Sequence, residues 1–180
     1  MFTGNREFNE IYEEYKNLVL KAAYMYSGDN CDVAEDITQD TFLKLYVDFE
    51  ELKKGNIPSW LFTTAKNAAI NFEKKSKREI LVGDREAFEE NLPASESSEE
   101  EYLDNELEEE RRRLHERIFS DLFAKNKRWY DAIILAYYMD IPQAKAAEIM
   151  GMRIQAFHTM LHRVKRWIKK KYGVEYEEMG

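Results

Sequence analysis

The chain has 180 residues, a formal net charge of -8, one cysteine, 7 glycines and 3 prolines. That length holds one or two small domains, and scarce Gly and Pro beside abundant Glu, Lys, Leu and Ala point to a mostly helical fold. The lone Cys31 excludes an internal disulfide framework, and no uncharged apolar run is long enough to span a bilayer.

The N-terminal stretch MFTGNREFNEIYEEY lacks the basic and apolar regions of a secretion signal, so a cytoplasmic protein is expected. Phe8, Ile11, Tyr12, Tyr15, Leu18, Val19, Ala22 and Ala23 then recur at three-and-four spacing, which predicts a first amphipathic helix. Ser27-Gly28-Asp29-Asn30 breaks it. A second helix is predicted from Val33, Ile37, Thr41 and Leu45, with Ala34, Phe42 and Tyr46 beside that seam. Its start, DVAEDITQD, holds the carboxylates Asp32, Glu35, Asp36 and Asp40 and no Lys, Arg or His. Asp32 reads as the N-cap and Glu35 as a first-turn acid favoured by the helix dipole. Asp36, Gln39, Asp40 and Leu43 fall on one stripe beside the seam.

Gly55-Asn56-Ile57-Pro58 is the next break, and Pro58 suits a helix first turn. WLFTTAKNAAINFEKKSKR predicts a third long helix to about Arg78, burying Leu61, Ala65, Ala68 or Ala69, and Phe72. Trp60, Lys66, Asn67, Asn71, Lys74, Lys75, Lys77 and Arg78 combine an aromatic with amides and cations. That set fits an unpaired nucleic-acid strand, which stacks on aromatics and is held by positive charge. It fits equally a core Trp followed by lysines that complement the helix dipole.

The charge is unevenly spread. Residues 84–110 hold thirteen acidic side chains against the single basic Arg85, so the remainder of the chain is net positive. Residues 81–111 are expected to be a linker, flexible in their first half, with helical periodicity resuming near Glu100 through Tyr102, Leu103, Leu107, Leu114, Ile118, Leu122 and Phe123. A second helical bundle is expected over 112–173, with 174–180 a frayed tail.

Within that bundle, AKAAEIMGMRIQAFHTMLHRVKRWIKKK predicts two helices joined by a tight turn at Gly151, a helix-turn-helix. Ile154, Phe157, Met160 or Leu161, and Val164 line the buried side of the second helix. Arg153, Gln155, Ala156, His158, Thr159, His162 and Arg163 face outward, and residues 152–171 carry seven Lys or Arg without an acid. Arg and Gln can read base edges and the cations can neutralise phosphates; the plainer reading is a helix pair with a solvated basic face. His158 and His162 have the spacing of a zinc pair, but Thr159 stands where a metalloprotease needs Glu and no third ligand is nearby, so no metal is expected.

Taken together, these segments resemble the bacterial RNA polymerase sigma factors of the sigma-70 family, small extracytoplasmic-function (ECF) type. DVAEDITQDTF matches that family's D-x-A-E-D-x-x-Q-D/E-x-F motif, WLFTTAKN its W-L-x-x-x-A-(R/K)-N motif, and AEIMGM its A-E-I-L-G-I motif. Leu161-His162-Arg163 and the basic residues after it stand where the family ends with L-x-R and a basic tail. The resemblance implies an all-α protein without cofactor or catalytic activity: a first domain over 1–80, a linker and a helix-turn-helix domain over 112–173. It implies that Asp32, Glu35, Asp36, Gln39, Asp40 and Leu43 contact core polymerase. Trp60, Lys66, Asn67, Asn71, Lys74, Lys75 and Arg78 would engage the minus-ten element and help melt it. Arg153, Gln155, His158, Thr159, His162, Arg163 and Arg166 would face the minus-thirty-five element. An anti-sigma partner is common in the family, and no residue here identifies one.

The chain departs from the family pattern at Pro142, where a capping Ser is common, at Arg153, where Ser or Thr is usual, at Met160 in place of Arg, and at Asn71 in place of Asp, with Lys rather than Arg beyond it. Base preference therefore does not transfer. Two other classes compete. A stand-alone helix-turn-helix regulator would need a dimer on palindromic half-sites. A carboxylate metalloenzyme built on Asp32, Glu35, Asp36 and Asp40 would need Glu-x-x-His motifs, and His115, His158 and His162 supply none.

Overall fold

A computed structural model describes residues 5–82 and 99–178, with side chains over 5–78 and 108–175. Every regular element among the described residues is helical. In chain order they are α1 (Arg6–Tyr26), α2 (Cys31–Val47), α3 (Phe49–Leu52), α4 (Ile57–Val82), α5 (Glu99–Lys125), α6 (Lys127–Ile133), a π-helical turn (Ile134–Tyr138), α7 (Gln143–Ile149) and α8 (Ile154–Glu178). They form two compact units, Met1–Glu86 with Ala144–Arg153, and Ala87–Gln143 with Ile154–Gly180.

In the first unit α1, α2 and α4 pack against one another. The side chain of Asn5 caps α1 by accepting the Phe8 amide at 3.1 Å. The helix stops where Gly28 takes φ +74°, a left-handed exit that costs a glycine nothing. The stripe read from the sequence faces inward: Phe8, Tyr15, Leu18, Val19, Ala22 and Ala23 are buried. Phe8 meets Tyr46 and Phe49 edge-on, with ring centroids 5.2 and 5.7 Å apart. Its full burial contributes about 2–3 kcal/mol.

Several expectations for this unit need correction. Asn30, not Asp32, caps α2, accepting the Val33 amide at 3.1 Å. Cys31 opens the helix, so Asp32 sits in its first turn and Glu35 lies beyond it. Phe72 is 38% exposed, because the inward row of α4 is carried by Leu61, Phe62, Ala65 and Ala69. Tyr46, placed beside the buried seam, is 45% exposed and meets the core edge-on at Phe8. Helix α4 continues past Arg78 to Val82.

The ten residues Ala144–Arg153, expected with the C-terminal bundle, group with the first unit. Lys145 pairs with Glu14 at 3.0 Å and donates to the hydroxyl of Tyr15. The amide of Asn56 donates to the carbonyl oxygen of Glu148 at 2.8 Å.

In the second unit α6 packs on α5 and on α8. Leu114, Ile118 and Tyr172 are buried together, with Trp167 and Ile168 against them. Asn126 caps α6, taking the amides of Arg128 and Trp129 at 3.0 and 3.1 Å. The π-helical turn leads to Asp140, whose φ of +52° turns the chain ahead of Pro142. Of the expected frayed tail, residues 174–178 are helical instead, since α8 runs to Glu178. Tyr172 and Lys171 both donate to Asp121, and Arg117 pairs with Glu175 at 2.5 Å, which ties the last turns of α8 to α5. The flexible first half of the expected linker lies largely outside the described residues; its second half belongs to α5.

Candidate nucleic-acid interface

Helix α2 turns one face to its neighbours and the other outward. Ala34, Ile37, Thr41, Phe42 and Leu45 are buried, and this anchoring fixes the direction of the opposite side. Asp32, Glu35, Asp36, Gln39, Asp40 and Leu43 are all exposed, so the structure brings the six predicted contacts onto the open side of one helix. Among the described residues none of these four carboxylates has an ion pair. Elsewhere in the unit Glu10, Glu13, Glu50, Glu51 and Glu73 each pair with a Lys or Arg three or four positions away. Unneutralised acids beside an exposed leucine form a surface suited to a basic partner.

The acidic side of α2 continues into an apolar end that sequence reasoning missed. Leu43 is 51% exposed and Val47 73% exposed. Asp36, Asp40, Leu43 and Val47 follow one another at four-and-three spacing, so the signal lay in the same periodicity that placed Leu43.

Helix α4 carries a second face. Trp60 and Thr64 are half-buried, while Thr63, Asn67, Asn71, Lys74, Lys75 and Arg78 are exposed. Their spacing of three, four and seven aligns them in one row along the helix. The predicted minus-ten residues are thus brought together, with one exception. Lys66 lies off the row, its ammonium 5.5 Å from the Phe62 ring centroid.

At the N-terminal end of that row a cleft opens between α3 and α4, lined by Glu51, Leu52, Gly55, Asn56, Ser59, Trp60, Thr63 and Thr64. Asn56 accepts the Ser59 amide at 3.0 Å through its side chain and the Trp60 amide at 3.0 Å through its carbonyl, starting α4. The cleft offers an aromatic ring, hydroxyls and an amide, the equipment for taking up an unstacked base. Asn56, Ser59, Thr63 and Thr64 were not among the predicted residues. Their polar type gave no signal until the loop before α4 was folded against Trp60.

The second unit carries a third surface. Gln155, His158, Thr159, His162, Arg163 and Arg166 are all exposed, whereas Phe157, Leu161 and Val164 are buried; the predicted Arg153 is exposed too but groups with the first unit. The exposed set runs along one side of α8 from its first turn. The approach to that helix is a tight turn: Gly151 takes φ +63°, the Met152 amide reaches Ala147 O at 3.0 Å and the Gly151 amide reaches Glu148 O at 3.0 Å. This is the Schellman closure that ends a helix cleanly. Further along α8, Lys165 stands 4.8 Å from the centroid of the half-exposed Tyr137 ring. No cluster of three or more His, Cys, Asp or Glu able to hold a metal ion occurs among the described residues.

These surfaces coincide with known proteins. The Sigma-70 region 2 family model matches residues 11–79, the span that contains both the α2 and the α4 faces. The ECF RNA polymerase sigma factor SigM of Bacillus subtilis (strain 168) is 26% identical over 170 residues, covering 92% of this chain and 94% of that protein. The chain is a sigma factor of the ECF type.

Other relatives agree along the whole length. RNA polymerase sigma factor YlaC of the same organism is 22% identical over 95% of this chain and 92% of its own. SigW, also from Bacillus subtilis, is 23% identical over 91% and 88%. The fold of the sigma factor matches that of RpoE from Bartonella quintana, solved in complex with the anti-sigma factor NepR. The TM-score is 0.51, with 22% identity over 92% of this chain and 96% of that one. As an alternative sigma factor the protein directs transcription initiation and is not an enzyme. The metalloenzyme and stand-alone regulator readings are set aside. Among the described residues no helix is long and apolar enough to cross a membrane.

Proposed function

We propose how this sigma factor divides the work of initiation among its surfaces. Residues 1–80 serve as the domain that binds core polymerase and the minus-ten element, 81–111 as the linker and 112–173 as the minus-thirty-five domain. The open face of α2, from Asp32 to Leu43 and extended to Val47, docks on core RNA polymerase. The row on α4 and the cleft at its start hold the melted minus-ten strand, with Trp60 stacking, Asn67 and Asn71 reading base edges, and Lys74, Lys75 and Arg78 holding phosphates. The outward side of α8, with Arg153 before it, reads the minus-thirty-five element in the major groove. The observation that carries this reading is the pair of separate exposed faces, acidic-apolar on α2 and aromatic-amide-cationic on α4, inside one matched region.

The protein works in the cytoplasm, where polymerase and promoter are. An anti-sigma factor as its regulator belongs to the same proposal and is supported by the family.

The test is association with core polymerase by pull-down at moderate salt, followed by hydroxyl-radical footprinting of the assembled complex on promoter DNA. Protection at both the minus-ten and minus-thirty-five elements is expected. No association with core polymerase would refute the assignment of the α2 face.

A further inference from the structure

Lys165 is held differently from the other ring-bound cations of the chain. Lys16 on Tyr12, Lys66 on Phe62 and Lys171 on Trp167 stack on a ring four positions earlier in the same helix, as periodicity dictates. Lys145 on Tyr15 and Arg117 on Tyr172 reach a ring on another element, and each also has a carboxylate, Glu14 and Glu175. Lys165 also reaches another element, its ammonium 4.8 Å from the Tyr137 ring centroid, but among the described residues it has no ion pair. An aromatic face holds a cation through its quadrupole and leaves the charge unneutralised. The Lys165 ammonium is thus kept in place with its charge still available.

Tyr137 owes its place to the π-helical turn. Such turns insert an extra residue into a helix and are frequent at functional sites. Here Ile134, Leu135 and Met139 stay buried, while Tyr137 and Tyr138 are 47% and 53% exposed. Tyr138 packs edge-on against Phe119 with ring centroids 4.9 Å apart, and Tyr137 is left to meet Lys165. On α8, the exposed His158, His162, Lys165 and Lys169 follow one another at four, three and four. Lys165 therefore stands in line with two of the residues read as facing DNA.

We propose that Lys165 holds a DNA phosphate at the edge of the major groove and that Tyr137 is the residue that positions it. The inference rests on the reading of α8 as the minus-thirty-five helix. Neither residue belongs to the set predicted to face that element. A free lysine gives up rotamer freedom when it binds, and the ring removes part of that loss beforehand. Phosphate contacts fix register on the duplex and carry no sequence information. The pair adds affinity and salt dependence without base preference.

The test is binding of a promoter duplex, located by mapping its start site, to the full chain assembled with core polymerase, titrated against salt. Lys165→Gln is expected to weaken binding about fivefold on every minus-thirty-five variant and to lower the salt slope by about 1. Tyr137→Leu, which removes the ring, should weaken binding about threefold, and Tyr137→Phe, which keeps it, should bind like wild type. In a Lys165→Gln background Tyr137→Leu should cost nothing further. An unchanged salt slope in Lys165→Gln overturns the phosphate contact. Equal losses in Tyr137→Phe and Tyr137→Leu, or a full further loss in the double variant, overturn the positioning role. Failure of the minus-thirty-five reading itself shows differently: the wild-type complex then lacks protection at that element, and the inference falls with it.

Discussion

The side-chain oxygen of Asn56 accepts the backbone amide of Ser59 at 3.0 Å, so the residue that starts α4 also walls the cleft beside Trp60. Cap and candidate base pocket are one feature, and substitutions can separate them. Asn56→Ala is expected to cost about 1 kcal/mol of stability through the lost cap. Asn56→Asp keeps the cap and favours the helix dipole, but it gives up the amide hydrogen that Glu148 accepts and sets a negative charge where a DNA strand is held. Urea unfolding should therefore find Asn56→Asp near wild type, while single-strand binding falls at least tenfold. Binding that simply follows stability in both variants reduces Asn56 to a cap.

The α2 face makes a second prediction. Asp36→Lys, Gln39→Ala and Val47→Asp alter exposed side chains, so each should change stability by no more than about 0.5 kcal/mol. Far-UV circular dichroism should be unchanged while retention by core polymerase drops. Lost helicity would instead give these residues a structural role.

On α8, phosphate contacts and base contacts respond differently. Arg163→Ala is expected to weaken binding equally on all sequences and to lower the salt slope by about 1. Gln155→Ala should weaken only promoters carrying the base it reads, by about 1–3 kcal/mol. Competition titrations on a set of minus-thirty-five variants tell the two apart. A sequence-dependent effect at Arg163 would make it a base-reading residue.

The core of the first unit depends on Phe8, fully buried between Tyr46 and Phe49. Phe8→Ala should cost about 3–5 kcal/mol. Thermal unfolding should show the loss directly, together with lost binding to core polymerase. A melting temperature near that of wild type would mean the aromatic cluster carries little of the stability.

Much of this was legible because helix periodicity and burial report the same fact. The inward rows of α1 and α2 and the outward row of α8 follow from apolar spacing alone. Local competition was harder to read. Asn30 and Asp32 are both good caps, and the difference is which of them the Gly28 exit leaves just ahead of the helix. The end of α8 reads as a fraying tail because what holds it, Asp121 and Arg117, is on α5 fifty or more residues earlier. The same holds for α7. Its sequence names a helix-turn-helix, but Lys145 finds Glu14 and Tyr15 some 130 residues upstream, and no spacing rule reaches that far. The cleft was missed for a related reason: Asn56, Ser59, Thr63 and Thr64 become a site only once the loop is folded back on Trp60.

The most direct measurement of the central claim is runoff transcription with purified core polymerase and this chain, followed by mapping of the RNA 5′ ends. Discrete start sites that share upstream minus-ten and minus-thirty-five sequences, and that vanish with Asp36→Lys, are the predicted result. Start sites identical to those of core polymerase alone would contradict the account.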